Sequence, residues 1–300
     1  MEAAGTRYIL YSKSDDRIKL WCLADLHLGN IGVDHKLLEA DLKSVREDPY
    51  AIWVGGGDYA EYISPRDRRF DAESVDPKVI ATCDFGCLGS ALTDEVTSRF
   101  APLSGKCLGL AYGNHESKYM KEKEQQDLHA SMCVGLHVPN LRYSAMMHLR
   151  PIRVPESVTE TPILLGPSTT PKMILKEDPK GGSRPKKTLF VHHGSGGART
   201  SGGKQNRLRD FMQLTTADIT FIGHCHDTRF EPQRLLSLNP TGTHLDEKKR
   251  MALMTGSYLK TYAEGTTGYG EEAGYPPSVL GAVWVEWKLE DGELRSEVRA

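Results

Sequence analysis

The sequence predicts an α/β fold. Two observations carry that prediction. In the first half, short apolar runs alternate with longer amphipathic stretches, the pattern of strands separated by helices. In the second half, strand-like runs dominate. Alternation of this kind argues for a largely parallel sheet in the first half. A chain of 300 residues is expected to form a single domain over 1–300, one core with insertions.

The elements follow in order. The run at 18–23 (IKLWCL) reads as a buried strand. Asp34 is placed to cap the next helix, where Leu37, Leu38, Leu42 and Val45 recur at helical spacing. Residues 51–54 read as a second strand. Asp76-Pro77 is a helix start, an N-cap followed by Pro, and the helical pattern after it runs to about Phe100 with breaks at Gly86 and Gly89. Residues 106–111 read as a third strand and 121–134 as a helix. Beyond them, 141–154, 188–192, 219–222, 251–255 and 279–289 are strand-like, and 206–214 is helical. The stretch 169–187, rich in Pro, Gly and Lys, reads as a surface loop, as does 265–275.

Composition is that of an ordinary globular protein, 39% apolar and 26% charged. A net charge of −2 provides no global field toward nucleic acid or an anionic membrane. The first 20 residues are polar and lack the apolar segment of a signal peptide. No run approaches the roughly 18 apolar residues of a membrane span. The cytoplasm is the expected compartment and no membrane association is expected. The six cysteines (22, 83, 87, 107, 133 and 225) show no CxxC or zinc-finger spacing and are read as reduced.

Five short motifs carry chemistry, each at the end of a strand-like run. They are Asp25-Leu26-His27, Gly57-Asp58, Gly113-Asn114-His115-Glu116, His192-His193-Gly194 and Gly223-His224-Cys225-His226. Together they offer Asp25, His27, Asp58, Asn114, His193, His224 and His226 as donors. A nitrogen and oxygen set without thiolate suits Mn²⁺, Fe, Zn²⁺ or Ni²⁺ better than Ca²⁺ or a structural zinc site. Residues two apart in a strand share a face, so Asp25 with His27, or His224 with His226, could grip one centre. Gly55-Gly56-Gly57 and Gly223 leave room for close approach of backbone to ions or phosphate. The choice of His193 over His192 rests on the His193-Gly194 match and on strand alternation, which would turn His192 away.

This order of motifs resembles the calcineurin-like metallophosphoesterase superfamily, and the likeness spans Asp25 to His226. The resemblance implies a four-layer α/β/β/α sandwich with mixed sheets and two divalent metal ions, Mn²⁺ first among them. It implies that Asp25, His27, Asp58 and His226 hold one ion, that Asn114, His193 and His224 complete the other, and that Asp58 bridges. It places His115 over the scissile phosphate as electrostatic stabiliser or general acid. A water held between ions about 3.5–4 Å apart would be the nucleophile. Glu61 and Glu116 read, rather than as ligands, as groups that orient a ligating His or His115 or that stand at a helix start. Asp84 and His129 have no motif support and read as structural.

The segment 184–209 contains no acidic residue, and Arg199 within it is the best candidate for gripping substrate phosphate. Tyr258, Lys260 and Tyr262 alternate after a strand and either line the site or end an ordinary strand. The leading expectation is a metal-dependent phosphodiesterase, with DNA or RNA as a candidate substrate. A phosphomonoesterase or pyrophosphatase is the second, and a non-catalytic scaffold on the same fold the third.

Overall fold

The computed structural model describes residues 1–63, 70–81, 87–123, 127–167, 169, 186–263 and 269–296. In chain order the elements are β1 (Glu2–Tyr11), β2 (Arg17–Leu23), α1 (His35–Glu47), β3 (Ala51–Gly55), α2 (Pro77–Ile80), α3 (Leu88–Phe100), β4 (Cys107–Leu110), α4 (Asn114–Lys123) and α5 (Leu128–Gly135). Then come β5 (Ser144–Arg153), β6 (Ile163–Leu164), β7 (Lys187–His192), α6 (Ser201–Gln213), β8 (Ile219–Ile222), β9 (Arg229–Leu238), β10 (Leu245–Met254), α7 (Tyr269–Glu272), β11 (Val283–Lys288) and β12 (Leu294–Ser296).

The strands form two mixed sheets, ordered β12-β11-β2-β3-β4 and β6-β1-β5-β7-β8-β10-β9. In the smaller sheet β2, β3 and β4 are parallel, the parallel core expected of the first half. Alternate side chains of each sheet point inward and meet. Leu20, Cys22, Ile52, Val54 and Trp287 pack against Ile9, Tyr11, Met147, Val191 and Phe221. The outer face of the smaller sheet, with Trp21, Leu23 and Trp53, is covered by α1, α3 and α5 through Leu38, Leu42, Val45, Leu92, Phe100 and Met132. On the other side α6 lays Leu208, Phe211 and Met212 over Ile222, Ala252 and Met254. These are the four layers α/β/β/α. Each large apolar side chain buried in them contributes about 1.5–3 kcal/mol.

Registry sets the position of the motifs. Leu23 pairs with Gly55 and Gly55 with Leu110, so β2, β3 and β4 end level with one another. His192 pairs with Ile222, so β7 and β8 also end together. All five motifs leave from these carboxyl ends. Asp34 accepts a hydrogen bond from Leu37 N at 3.0 Å and caps α1 as expected.

Several elements differ from the sequence reading. The polar N-terminus holds β1, whose Ile9 and Tyr11 are buried between the sheets while Leu10 packs on the other face with Val154 and Leu165. The 121–134 helix is two elements, because Asp127 caps α5 by accepting from Ala130 N, and α4 begins earlier, at Asn114. Gly89 is no break but a buried position inside α3, where a Cβ would sit 2.2 Å from Tyr119 Oη. Strand β10 starts six residues before 251 and pairs with β9, which the sequence pattern did not mark; the half-buried face of β9 carries Arg229, Glu231 and Gln233 while Phe230, Leu236 and Leu238 are exposed, so apolar residues do not trace a buried face. The 265–275 loop contains α7. Most of the 169–187 loop, together with Cys83, Asp84 and Gly86, lies outside the described residues, and Lys187 already belongs to β7. Cys22, Cys107, Cys133 and Cys225 carry free thiols. No described helix is long and apolar enough to cross a membrane.

Candidate metal centre

The donor residues sit in the loops just beyond the strands, and their backbone is unusual. Asp25, His27, Asp58, His224 and His226 all have positive φ, between 49° and 69°. Side chains two apart therefore do not share a strand face, contrary to the expectation from strand alternation. The loops are instead stitched to one another. Asp25 N donates to Gly57 O (2.9 Å) and His27 N to Asp58 O (3.2 Å). The Asp25 carboxylate accepts from His224 N at 3.0 and 2.9 Å. A Cβ on Gly223 would lie 2.4 Å from Asp25 Oδ2, and one on Gly113 would lie 2.1 Å from Asp58 Oδ1. At these two positions glycine makes room for the donor carboxylates rather than for an ion or phosphate.

The donors gather into two groups. Asp25, His27 and His226 have ligand atoms within 4.8 Å of one another, and so do Asp58, His193 and His224. His224 and His226 thus belong to different groups. In the first, the Nε2 atoms of His27 and His226 lie 3.1 Å apart, and Asp25 Oδ1 is 3.3 Å from His226 Nε2. In the second, Asn114 Oδ1 is 3.0 Å from His193 Nε2 and 2.8 Å from His224 Nδ1, and Asp58 Oδ2 is 3.2 Å from His193 Nε2. Asp58 also forms a group of the same tightness with His27 and His115, and so lies between the two groups.

The outer ring nitrogens are held from behind. His27 Nδ1 contacts Glu61 Oε2 at 3.1 Å, and His193 Nδ1 donates to Gly56 O at 2.9 Å. Such contacts fix the tautomer and turn Nε2 toward the centre. Glu116 stands in the first turn of α4, one of the two roles expected of it. Its carboxylate accepts from the backbone N–H groups of Asp58 (3.0 Å), Tyr59 (2.8 Å) and Gly113 (2.8 Å), so it pins the two loops and orients no histidine. Burial together with the nearby Asp58 pushes Glu116 up to about 7.

His115 N donates to Asp58 Oδ1 at 2.9 Å. Its Nδ1 lies against Glu61 O, and its Nε2 is 4.0 Å from Asp58 Oδ2. Burial lowers the His115 pKa, but the carboxylates of Asp58 and Glu61 outweigh it and raise the ring above its ordinary value. Burial likewise opposes His193, yet Asp58 lifts it to about 10. Burial and the neighbouring His193 push His224 down to about 4. Burial would raise Asp58, but His193 and His115 hold it well below the carboxylate range.

The set fits cations. Two imidazole nitrogens that face each other beside a carboxylate cannot all be satisfied as neutral partners, since only one ring can supply a proton. A cation accepts all three as donors. The mixture of imidazole, carboxylate and amide oxygen suits a borderline transition metal.

Among the remaining candidates, His192 turns away and packs on Phe211 and Tyr143, leaving His193 fully buried at the centre. Arg199 is exposed in the loop beyond Gly194, with its guanidinium 5.3 Å from the Tyr275 ring centroid. Tyr258 does not line the site, because its hydroxyl donates to Asp41 Oδ2 at 2.8 Å. Lys260 pairs with Asp34 at 3.1 Å, and Tyr262 donates to Tyr275 O. His129 is buried against Tyr59 and Tyr112 and away from the donors.

No protein-family model matches the sequence, and no curated protein matches it. Solved structures do. The chain is similar to Vps29 of Entamoeba histolytica complexed with Zn²⁺, at 10% identity over 93% of this chain and 97% of that one, with a TM-score of 0.36. It is similar also to vacuolar protein sorting 29 of Cryptosporidium parvum, at 10% identity over 94% and 97%, with a TM-score of 0.34. A likeness of this degree transfers neither activity nor partners.

Proposed function

We propose that the chain is a metal-dependent phosphoric ester hydrolase that holds two divalent cations and prefers phosphodiesters. The observation that carries this reading is the pair of donor groups on either side of Asp58. Asp25, His27, Asp58 and His226 would hold one ion, and Asp58, Asn114, His193 and His224 the other. Mn²⁺ is the first choice, with Fe, Zn²⁺ and Ni²⁺ compatible with the same donors. When bound, such ions supply Lewis acidity to a phosphoryl group and acidify water.

The chain's own residues supply the rest. His115 is held through Nδ1 by Glu61 O, and its Nε2 lies too far from Asp58 for a hydrogen bond. A ring held this way and raised in pKa keeps a proton at Nε2 for the leaving oxygen. Glu61 orients both His115 and His27. Among the described residues, the side-chain hydrogen bonds and ion pairs of the seven donors include no Lys or Arg. A diester, with one negative charge, needs less compensation than a dianionic monoester, and this favours the diester. Arg199 would contact substrate at the rim, since a guanidinium stacked on an aromatic face keeps its N–H edge for an oxyanion. Three other cations of the basic segment have carboxylate partners: Lys204 with Asp227 at 3.5 Å, Arg209 with Glu231 at 2.9 Å and Arg207 with Asp210 at 3.9 Å. A short diester fits these ion pairs better than a long DNA or RNA strand.

The test is hydrolysis of bis(p-nitrophenyl) phosphate and p-nitrophenyl phosphate with Mn²⁺ present. The proposal expects faster turnover of the diester. Good cleavage of the monoester with none of the diester would move the protein to the phosphomonoesterases.

A further inference from the structure

We propose that Ser257 is a positioning residue for Asp25, and through Asp25 for the cation that Asp25, His27 and His226 would hold; this rests on the reading of those three residues as a cation site. Ser257 belongs to none of the five motifs. It lies three residues beyond the end of β10 and is fully buried. Asp25 has a φ of 53°, in the left-handed region that is uncommon for a non-glycine residue, though less so for Asp, and is kept where the surroundings hold it.

Besides the bond from Asp25 N to Gly57 O, two contacts hold the Asp25 carbonyl. Ser257 Oγ donates to it at 2.9 Å and Tyr258 N at 3.0 Å. The same Ser257 hydroxyl accepts from Leu259 N at 2.9 Å, so one small group serves as donor and acceptor together. The loop that presents it is itself anchored. Gly281 N donates to Ser257 O at 2.9 Å, Asp34 N donates to Tyr258 O at 2.8 Å, and the Tyr258 hydroxyl is bound to Asp41.

The consequence follows from geometry. Relaxation of Asp25 out of its left-handed conformation swings its carboxylate away from His226 Nε2 and from His224 N, 3.3 and 2.9 Å distant. Ser257 contacts none of the metal-facing donor atoms, so it acts only through the backbone of Asp25. Alanine removes both halves of its bridge. Threonine keeps the hydroxyl, and cysteine keeps the volume with only a weak donor.

The experiment is calorimetric titration of the metal-stripped protein with Mn²⁺, alongside thermal melts of the metal-free forms. Ser257→Ala should weaken Mn²⁺ binding about 10-fold or more, the effect of losing a group that orients a ligand. Ser257→Thr should restore most of that affinity. Unchanged Mn²⁺ affinity in Ser257→Ala, even with a lowered melting temperature, would make the residue merely structural and overturn the proposal. So would a failure of Ser257→Thr to restore binding. If Ser257→Ala does not fold, Ser257→Cys is read by the same two outcomes. Asp58→Ala is titrated in parallel: wild-type affinity in that variant would reject the cation site itself, a failure separate from that of Ser257.

Discussion

Asp58 and His115 lie one hydrogen bond apart and are expected to fail differently. Asp58 is positioned between both donor groups, so Asp58→Ala should abolish activity by loss of metal, seen as metal content near zero after dialysis. His115→Ala should keep the metal and lose rate by about 10²–10⁴, the usual contribution of a general acid. Metal-replete Asp58→Ala with normal turnover would contradict the first expectation. His193 adds a pH dependence. Burial opposes its protonation, but Asp58 lifts it to about 10, so the metal-free protein holds this proton at neutral pH. The stabilisation it contributes is fully present below the unfolded value of about 6.5 and is lost as pH rises through 10. A cation needs the unprotonated ring, so Mn²⁺ binding near pH 7.5 should release protons and tighten with rising pH. Titration in buffers of different ionisation enthalpy measures this, and a heat independent of buffer would contradict it. The candidate donors were legible in the sequence because Asp, Asn and His recur in five ordered motifs, four of them with a glycine. Their left-handed backbone was not, since strand alternation says nothing about residues past a strand end. Ser257 carried no signal, as an isolated serine has none.

At the scale of elements, legibility followed burial. Helix α1 could be read because Asp34 caps it and Leu38, Leu42 and Val45 face the core at helical spacing. The β9–β10 ribbon could not, because it exposes Leu236, Leu238 and Leu245 to solvent and lacks a buried face at its tip. Gly89 shows propensity and packing in conflict. In α3 an alanine is favoured over glycine by about 1 kcal/mol on propensity alone. Here its Cβ would meet Tyr119 Oη at 2.2 Å and Leu128 Cδ1 at 2.9 Å. Overpacking of this kind costs about 1–3 kcal/mol. Gly89→Ala should therefore lower stability in urea unfolding, and a raised midpoint would show that α4 and α5 yield without cost.

For the whole molecule, the two sheets bring β2, β3, β4, β7 and β8 to one edge, so the centre joins loops from both halves of the sandwich. A cation bound there links both sheets and binds only the folded chain. Saturation at 100 times the dissociation constant stabilises by about 2.7 kcal/mol per site. Mn²⁺ should raise the melting temperature by several degrees, at about 2–4 °C per kcal/mol, and Asp58→Ala should lose that rise. The layered architecture was accessible from the motif resemblance, whereas local patterning alone reached only the parallel core of the smaller sheet. The most direct test is the turnover of bis(p-nitrophenyl) phosphate by metal-stripped protein as Mn²⁺ is added. Two-cation hydrolysis predicts no turnover without metal, a rise that levels off at two equivalents, and none in Asp58→Ala. Equal turnover in Asp58→Ala, or no turnover with both equivalents bound, would contradict it.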